Sequence, residues 1–457
     1  MRWKRSLVGF ISVLSGAAVF ACGQKREEPV MEKASVYIRC YSEETAKVWS
    51  KIAGTYRTEQ GVNLRVLDPD EIAGEDNQPT IAVLEKATDY EKWRDRCMDL
   101  SDTRMYAWLL DQSMALKEKK SVTAVPCGMK SFGIIYNKGM TDRYFEKEDR
   151  AVKSEDMDGI QTFEEFREVV EDMTENQQEL GYRGVFASPY LGEGENGWQM
   201  ELLEAALSLE QQERGNSEKA KMDFLYSDSV RDLVDLYFDN SCTGKNSLWR
   251  KSQEDACREF AEGEAVMIQG DDQTYQKISE LSEDVIPKKG IRYLPLMPWE
   301  GSPEGLCVKA DDYLCINDEA TQGSKKAAVT FLEWLYETDQ GKEYVTKEMG
   351  YTAPYVTFSE EDIPADPLAL EMVIAAERQK IHFVDWSSET VHRIDEEVLR
   401  QNLLEYARTL KTWEEVSTEI RKELNETEDE KNRKIPGGWK YQLAGDSFLF
   451  ILFQPFS

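Results

Sequence analysis

Strands and helices alternate along almost the whole chain, and this order limits the folds open to it. Residues 36–41 have the pattern of a β-strand, and a helix follows whose apolar positions, from Val48 to Tyr56, recur with a period of 3.6. Two more strands are predicted at 62–67 and 80–84. Parallel strands need crossover helices and are buried on both faces, so this order predicts an α/β fold with a parallel sheet. No Gly/Ser-rich linker divides the chain, so any two lobes must be joined by several crossings.

The second half of the chain repeats the alternation. Thr162 and Glu165 have the spacing of a capping box, which predicts that a helix begins there. The other predicted elements are strands at 184–187 and 265–268, helices at about 198–209 and 230–238, and two late helices capped by Ser324 and Thr412.

The N-terminus has the pattern of an export signal. Three basic residues lie within the first five positions, and an apolar run from Leu7 to Ala21 follows them. This run is shorter than a membrane-spanning helix needs but suits a signal peptide. The position of Cys22 resembles a bacterial lipobox, which predicts a lipoprotein signal peptide at 1–21, lipidation of Cys22, a tether at 22–34 and an extracytoplasmic location on the cell membrane. A plain signal peptide and a buried N-terminal helix are the alternatives.

Composition excludes some functions and leaves others open. The chain has 87 acidic and 56 basic residues, a net charge of −31, which disfavours nucleic-acid binding. So many carboxylates make a chance acidic pair easy to find, and such a pair is no evidence for catalysis. The two histidines and the spacing of the eight cysteines give no metal-site pattern, so no metal or cofactor is predicted. The cysteines other than Cys22 are expected to be buried, with one or two disulfides possible.

One glycine-rich segment needs interpretation. Residues 192–197 match G-x-G-x-x-G and lie between a predicted strand and a predicted helix. The variable positions Glu193 and Glu195 would face a pyrophosphate and repel it. We therefore expect a glycine-rich loop at a cleft rather than a nucleotide site. No catalytic sequence motif is present, and the chain is not predicted to be an enzyme.

Four segments, in order, resemble segments of the carbohydrate-type extracellular solute-binding proteins of ABC importers. They are 126–138 (PCGMKSFGIIYNK), 162–168 (TFEEFRE), 260–271 (FAEGEAVMIQGD) and 325–335 (KKAAVTFLEWL). The resemblance extends over about residues 35–430. The chain departs from the family pattern at two positions. Asp272 stands where the family commonly has an aromatic residue, and Thr80 stands after Pro79 where the family has an aspartate.

The resemblance implies a two-lobe periplasmic-binding-protein-like fold with a hinge and an interlobe ligand cleft. The N-lobe would comprise 35–131 plus 301–352, and the C-lobe 132–300 plus 353–430. Open α/β sheets bind ligands at the carboxyl ends of their strands, which agrees with a cleft between the lobes. The implied function is capture of a small solute, a sugar or oligosaccharide, by a monomer that delivers it to the permease subunits of an ABC transporter.

The predicted ligand-binding residues lie in loops where strands would meet the cleft. Carbohydrates need aromatic faces for their C–H surfaces and polar groups for their hydroxyls. The residues are Tyr41, Ser42, Glu43, Glu85, Lys86, Lys130, Ser131, Tyr190, Glu193, Asn196, Trp198, Asp271, Asp272, Trp299, Tyr351 and Tyr355.

The sequence leaves open two other functions and the role of one segment. A lipoprotein of the same fold could act as a sensor or partner subunit without feeding a transporter, and a secreted carbohydrate-active enzyme is less favoured. The C-terminal tail at 431–457 has no counterpart in the family and contains the apolar run 448–453. A non-adaptive extension is favoured over a docking or membrane-touching tail.

Overall fold

The computed structural model describes residues 34–74, 77–195, 197–214, 222–281, 290–296, 305–363, 366–384 and 394–425. The predicted signal peptide, Cys22, the tether up to residue 33 and the tail at 431–457 lie outside these residues. Among the described helices, none combines the length and the apolar character needed to cross a bilayer.

The strands include two that are much longer than the rest. They are β1 (Ser35–Arg39), β2 (Asn63–Leu67), β3 (Ile81–Leu84), β4 (Leu116–Glu118), β5 (Ser121–Asn137), β6 (Gly184–Phe186), β7 (Ala265–Asp271), β8 (Ile291–Leu294), β9 (Leu306–Ile316) and β10 (Ile381–Phe383).

Helices separate most of these strands, which confirms the predicted α/β class. They are α1 (Glu43–Gln60), α2 (Ala87–Trp93), α3 (Arg104–Ala107), α4 (Lys138–Phe145), α5 (Phe163–Glu175), α6 (Gln177–Leu180), α7 (Trp198–Glu213), α8 (Ser227–Asp239), α9 (Gln253–Ala261), α10 (Asp272–Leu281), α11 (Gln322–Glu337), α12 (Asp339–Glu343), α13 (Pro367–Glu377), α14 (Glu396–Ala407) and α15 (Trp413–Asn425).

The sheet is mixed rather than wholly parallel. Its strand order is β2-β1-β3-β9-β5-β7-β6, with β10 beside β9 and with β4 and β8 beside β5. The pairs β1–β2, β1–β3, β6–β7 and β9–β10 are parallel, but β9 is antiparallel to β3 and β5, and β5 is antiparallel to β7. The prediction of a parallel sheet is therefore wrong for the central strands.

The two long strands β5 and β9 run through both halves of the molecule. They pair from Val125 opposite Leu314 to Phe132 opposite Cys307. One end of this ladder continues the sheet of β1–β3, since β9 pairs with β3 there, and the other end continues the sheet of β6 and β7. A bridge between Met129 and Thr352 adds a third connection at the middle of the ladder.

Two main apolar cores lie on either side of this middle. The first contains residues of β1, α1 and α11, and the second contains residues of β6, α7 and α8. Val308 packs in the second core, whereas Leu314 packs in the first, so β9 passes between them. The predicted lobe limits stay a prediction, and the packing of Leu306–Val308 with the second core favours a crossing inside β9 rather than at residue 301.

Helix caps give a direct check on the sequence patterns. The Thr162 hydroxyl accepts from the Glu165 amide at 3.2 Å and the Glu165 carboxylate accepts from the Thr162 amide, so that capping box is confirmed. The prediction that Ser324 caps α11 is wrong, because the Thr321 hydroxyl accepts from the Ser324 amide and the helix begins at Gln322. The seven described cysteines are free thiols, five of them buried, so the disulfides that the sequence allowed are not formed.

Candidate functional site

The carboxyl ends of β1 and β3 bring three predicted site residues together. These strands are parallel neighbours, so Tyr41 and Ser42 after β1 lie beside Glu85 after β3. The Glu85 Oε1 atom accepts from the backbone amides of Tyr41 at 2.9 Å and Ser42 at 3.0 Å. The Ser42 hydroxyl also caps α1 by accepting from the Thr45 amide at 3.2 Å. We call Tyr41, Ser42 and Glu85 the first-lobe edge.

The Tyr41 ring is held in place from α2. Its hydroxyl accepts from the indole N–H of Trp93 at 2.6 Å, and the Lys92 ammonium lies 4.9 Å from the ring centroid. Burial raises the pKa of Tyr41 to about 12, so the phenol is protonated at neutral pH. Glu43, at the start of α1, and Lys86, just before α2, are exposed.

The middle of the β5–β9 ladder forms a polar crossing. The Lys130 ammonium donates to Asp311 at 3.0 Å, and the Tyr351 hydroxyl donates to Asp312 at 2.5 Å. Burial, with the charge of Asp311, raises the pKa of Asp312 to about 7. Gly128 is needed here because a Cβ atom would lie 2.7 Å from the Tyr351 Cβ.

Two aspartates at the end of β7 face this crossing from the other lobe. The Asp271 carboxylate caps α10 by accepting from the amide and the hydroxyl of Thr274 at 3.0 and 3.1 Å. The Asp272 Oδ1 atom accepts from the Tyr293 hydroxyl at 3.1 Å and the Ser131 hydroxyl at 3.4 Å. Burial raises the pKa of Asp272, with further contributions from nearby carboxylates.

Sequence reasoning missed three charged residues beside these aspartates. The Lys309 ammonium, on β9, donates to Glu204 of α7 at 3.1 Å. Glu201, one turn earlier on α7, is buried, and burial together with Asp271 raises its pKa to about 8. A signal was present in the sequence, because Glu201 and Glu204 are the only charged residues in the first three turns of α7, which are mostly apolar. We call Glu201, Glu204, Asp271, Asp272 and Lys309 the second-lobe edge.

The glycine-rich loop lies next to a separate depression. Glu193 is exposed, and the Glu195 carboxylate accepts from the Gln253 amide at 2.9 Å. Gly194 and Glu195, together with the start of α14, line a cavity of about 380 Å³. Two other predicted site residues, Asn196 and Trp299, lie outside the described residues.

Three predicted aromatic site residues pack inside the two cores. Trp198 meets Tyr237 edge to face, with ring centroids 5.2 Å apart, and Tyr190 is buried in the same core. The Tyr355 hydroxyl donates to the Pro126 carbonyl, and its ring lies 4.7 Å from Tyr336. Their roles in ligand binding stay predictions, and this packing favours a structural role for each.

The crossing connects the two edges electrostatically. The Asp312 carboxyl is influenced by Glu85 of the first-lobe edge and by Lys130, and the Lys309 ammonium by Asp271 of the second-lobe edge. Both lobes contribute hydrogen-bond donors and acceptors, and Tyr41 adds one aromatic face. This arrangement suits recognition of a small polar solute. Across the described ranges, no cluster of three or more histidine, cysteine, aspartate or glutamate residues could hold a metal ion.

Several solved structures share this fold. The binding protein msmE from Bacillus subtilis, in an open conformation, has a TM-score of 0.59 at 12% identity. The alignment covers 88% of this chain and 98% of the msmE chain. The apo form of RafE from Streptococcus pneumoniae has a TM-score of 0.60 at 14% identity, covering 86% and 97%. RafE in complex with raffinose has a TM-score of 0.55 at 16% identity, covering 86% and 98%. At these identities the likeness shows the fold, which is the two-lobe α/β fold of solute-binding proteins.

Sequence comparison gives the family directly. Curated protein sequences give no significant match to the chain. Residues 32–370 match the family described as bacterial extracellular solute-binding protein, which is well over half of the chain. With the two-lobe fold and the polar groups gathered at the crossing, this match shows that the chain belongs to the bacterial extracellular solute-binding protein family.

Proposed function

We propose that the protein captures a sugar or oligosaccharide between its lobes and delivers it to the permease of an ABC importer. The observation that carries this proposal is the gathering of polar side chains from both lobes around the Lys130–Asp311 pair at the crossing. RafE, which has the same fold, is known in complex with raffinose, and this supports a carbohydrate as the ligand class.

The proposed contact residues are those that the fold brings to the crossing and its two edges. They are Tyr41, Ser42, Glu85, Lys130, Ser131, Asp271, Asp272 and Tyr351. Glu43, Lys86 and Glu193 remain predicted contact positions, and Asn196 and Trp299 are predicted positions that lie outside the described residues. The role proposed for the protein is binding, without catalysis.

A thermal-shift screen over neutral oligosaccharides, amino acids and peptides tests the proposal. A solute at a hundredfold excess over its Kd stabilises the folded protein by about 2.7 kcal/mol, which appears as a rise of several degrees in Tm. Lys130→Met should weaken the response to an oligosaccharide, whereas Lys326→Met, at an exposed position on α11, should leave it unchanged. A response to amino acids alone, or release of shorter sugars from the ligand, would contradict the proposal.

The hinge is tested by solution scattering. Two lobes connected by β5, β9 and the Thr352 segment can close about a ligand by hinge motion. A saturating oligosaccharide should therefore reduce the radius of gyration. Tight binding that leaves the scattering curve unchanged would argue against ligand-driven closure.

Anchoring through Cys22 is tested by membrane fractionation. Two acyl chains hold a protein stably at a bilayer because each buried methylene contributes about 0.8 kcal/mol, whereas one chain is marginal. Expression of Cys22→Ala in a bacterial host should move the protein out of the membrane fraction. A variant that is still processed and still membrane-bound would show that the anchor lies elsewhere.

A further inference from the structure

The first turn of α7 carries an unusual number of buried polar atoms without partners. Five buried side-chain nitrogen or oxygen atoms in the described part of the chain lack a hydrogen-bond partner, and three of them are Trp198 Nε1, Gln199 Oε1 and Glu201 Oε2. Folded proteins satisfy nearly all such atoms, because leaving one unpaired in the interior is unfavourable. The three atoms lie within one turn of α7, and among them Glu201 is the one whose charged neighbours belong to the crossing and the second-lobe edge.

Among these three residues, Glu201 gives the strongest evidence for a ligand contact. Its side chain belongs to a residue only 7% exposed, and its Oε2 atom has no partner among the described residues. The charged groups that face it are Asp271 from β7, Lys309 from β9, Lys130 from β5 and Glu204 from its own helix. Three further titratable groups within its influence, Tyr190, Tyr237 and Cys307, are buried.

Neither neighbouring lysine is free to neutralise Glu201. Lys309 pairs with Glu204 at 3.1 Å, and Lys130 pairs with Asp311 at 3.0 Å. Asp271 is engaged by Thr274, which brings no positive charge. The local balance therefore leaves an excess of carboxyl groups over cations, and an added positive charge would be stabilised there.

We propose that Glu201 receives a protonated amine of the solute, so that the solute is an amine-bearing sugar or oligosaccharide. The inference rests on the proposed function and adds the chemical class of its ligand. The shared chemistry is an ammonium group, which a free polyamine also carries.

Proton release is the signature of this arrangement. Burial keeps the Glu201 carboxyl protonated in the free protein at neutral pH, since its pKa is raised to about 8. An ammonium group seated beside it favours the carboxylate, so the carboxyl O–H bond breaks, its proton goes to the solvent, and an ion pair remains. A neutral sugar has no such effect.

Calorimetry at pH 6, where the solute amine and the Glu201 carboxyl are both protonated, tests the inference. Titrations in two buffers of different ionisation enthalpy give affinity and proton release together. The probes are a glucosamine oligosaccharide, its N-acetylated counterpart of equal length, a malto-oligosaccharide and spermidine. We expect the glucosamine oligosaccharide to bind about tenfold or more tightly than its N-acetylated counterpart, with release of close to one proton.

Variants separate Glu201 from general electrostatics. Glu201→Gln keeps the size of the side chain and should abolish proton release and the preference for the amine. Glu171→Gln, at an exposed position on α5, should change neither. If Glu201→Gln fails to fold, proton release by the unchanged protein, present with the glucosamine oligosaccharide and absent with the N-acetylated one, still decides the matter.

The possible outcomes distinguish this inference from the proposed function on which it rests. Equal or tighter binding of the N-acetylated or malto-oligosaccharide without proton release overturns the inference and leaves the proposed function intact. Spermidine binding with proton release, without binding of any oligosaccharide, overturns the sugar class and with it the proposed function. Binding of none of the four probes overturns the inference, and the proposed function is then decided by the wider oligosaccharide screen.

Discussion

The half-buried Glu85 of the first-lobe edge and the buried Glu201 of the second-lobe edge differ in their hydrogen bonding. At the first-lobe edge, Glu85 accepts two backbone amides within 3.0 Å, so the chain itself satisfies the group. At the second-lobe edge, Glu201 is more deeply buried and its Oε2 atom accepts nothing from the described residues. A buried carboxyl group that accepts no hydrogen bonds remains protonated, because burial disfavours its charged form. The two edges therefore have different chemistry.

The second lobe is capable of satisfying a buried carboxylate elsewhere. Glu259, on α9, accepts from Arg183, Lys251 and the Ser188 amide at 2.6, 2.8 and 2.7 Å. The deficit at Glu201 is therefore local to the crossing and does not come from a shortage of donors in that lobe. This contrast separates carboxyl groups that stabilise the fold from one that is available to a ligand.

The largest expected effect is a pH dependence that belongs to Glu201. Its pKa is raised to about 8 in the folded chain, so the folded state keeps a proton that the unfolded chain loses above about pH 4.5. Stability from this group therefore falls as the pH rises through that window, by about 5 kcal/mol at about 1.4 kcal/mol per pH unit. Urea unfolding across the window should show Glu201→Gln gaining this amount relative to the unchanged protein, while Glu171→Gln keeps a constant difference.

The second prediction concerns the satisfied carboxylate in the same lobe. Glu259→Ala removes the shared acceptor of Lys251, Arg183 and the buried Ser188 amide, and only Arg183 keeps a second carboxylate partner, Glu264. Breaking a buried ion pair in this way costs about 3 kcal/mol. Urea unfolding at pH 7 measures the loss. A loss below about 1 kcal/mol would mean that the two carboxyl groups do not differ as their contacts indicate.

The third prediction tests the crossing between the edges. A Cβ atom in Gly128→Ala would overlap Tyr351, which must move away from Asp312, at a cost of about 2 kcal/mol. Gly54→Ala is the matched control, because Gly54 lies in α1 with open space around it and should gain about 1 kcal/mol. Thermal unfolding compares the two, and equal effects would show that the ring and the backbone are not closely packed.

Local patterns predicted the first-lobe edge better than the second. Tyr41, Ser42 and Glu85 follow two adjacent parallel strands, so their meeting follows from strand order alone. The contact of Lys309 with Glu204 joins residues more than a hundred positions apart, through an antiparallel strand that the sequence did not predict. Periodicity located α7, but only the tertiary fold shows which of its residues meet β9.

The prediction of the α11 cap was wrong for a similar reason, over a shorter sequence distance. Thr162 and Glu165 satisfy each other, so their pattern alone was sufficient. Thr321 and Ser324 can both cap a helix, and the choice depends on where the chain leaves β9. The sequence therefore predicted the fold class and most of the long helices, but not the long antiparallel strands, the crossing that they form or its charge balance.

The smallest expected effect separates two roles of Ser42. Its hydroxyl caps α1, so Ser42→Ala should lose about 1 kcal/mol of stability, and Thr162→Ala, which removes the cap of α5, should lose about the same. Only Ser42 lies at the first-lobe edge, so only Ser42→Ala should also weaken binding of the solute found by the screen. Ser42→Asp retains a capping oxygen and should restore stability without restoring affinity. Equal solute affinity in all three variants would mean that Ser42 acts only as a cap, and that the first-lobe edge contacts the solute through Tyr41 and Glu85.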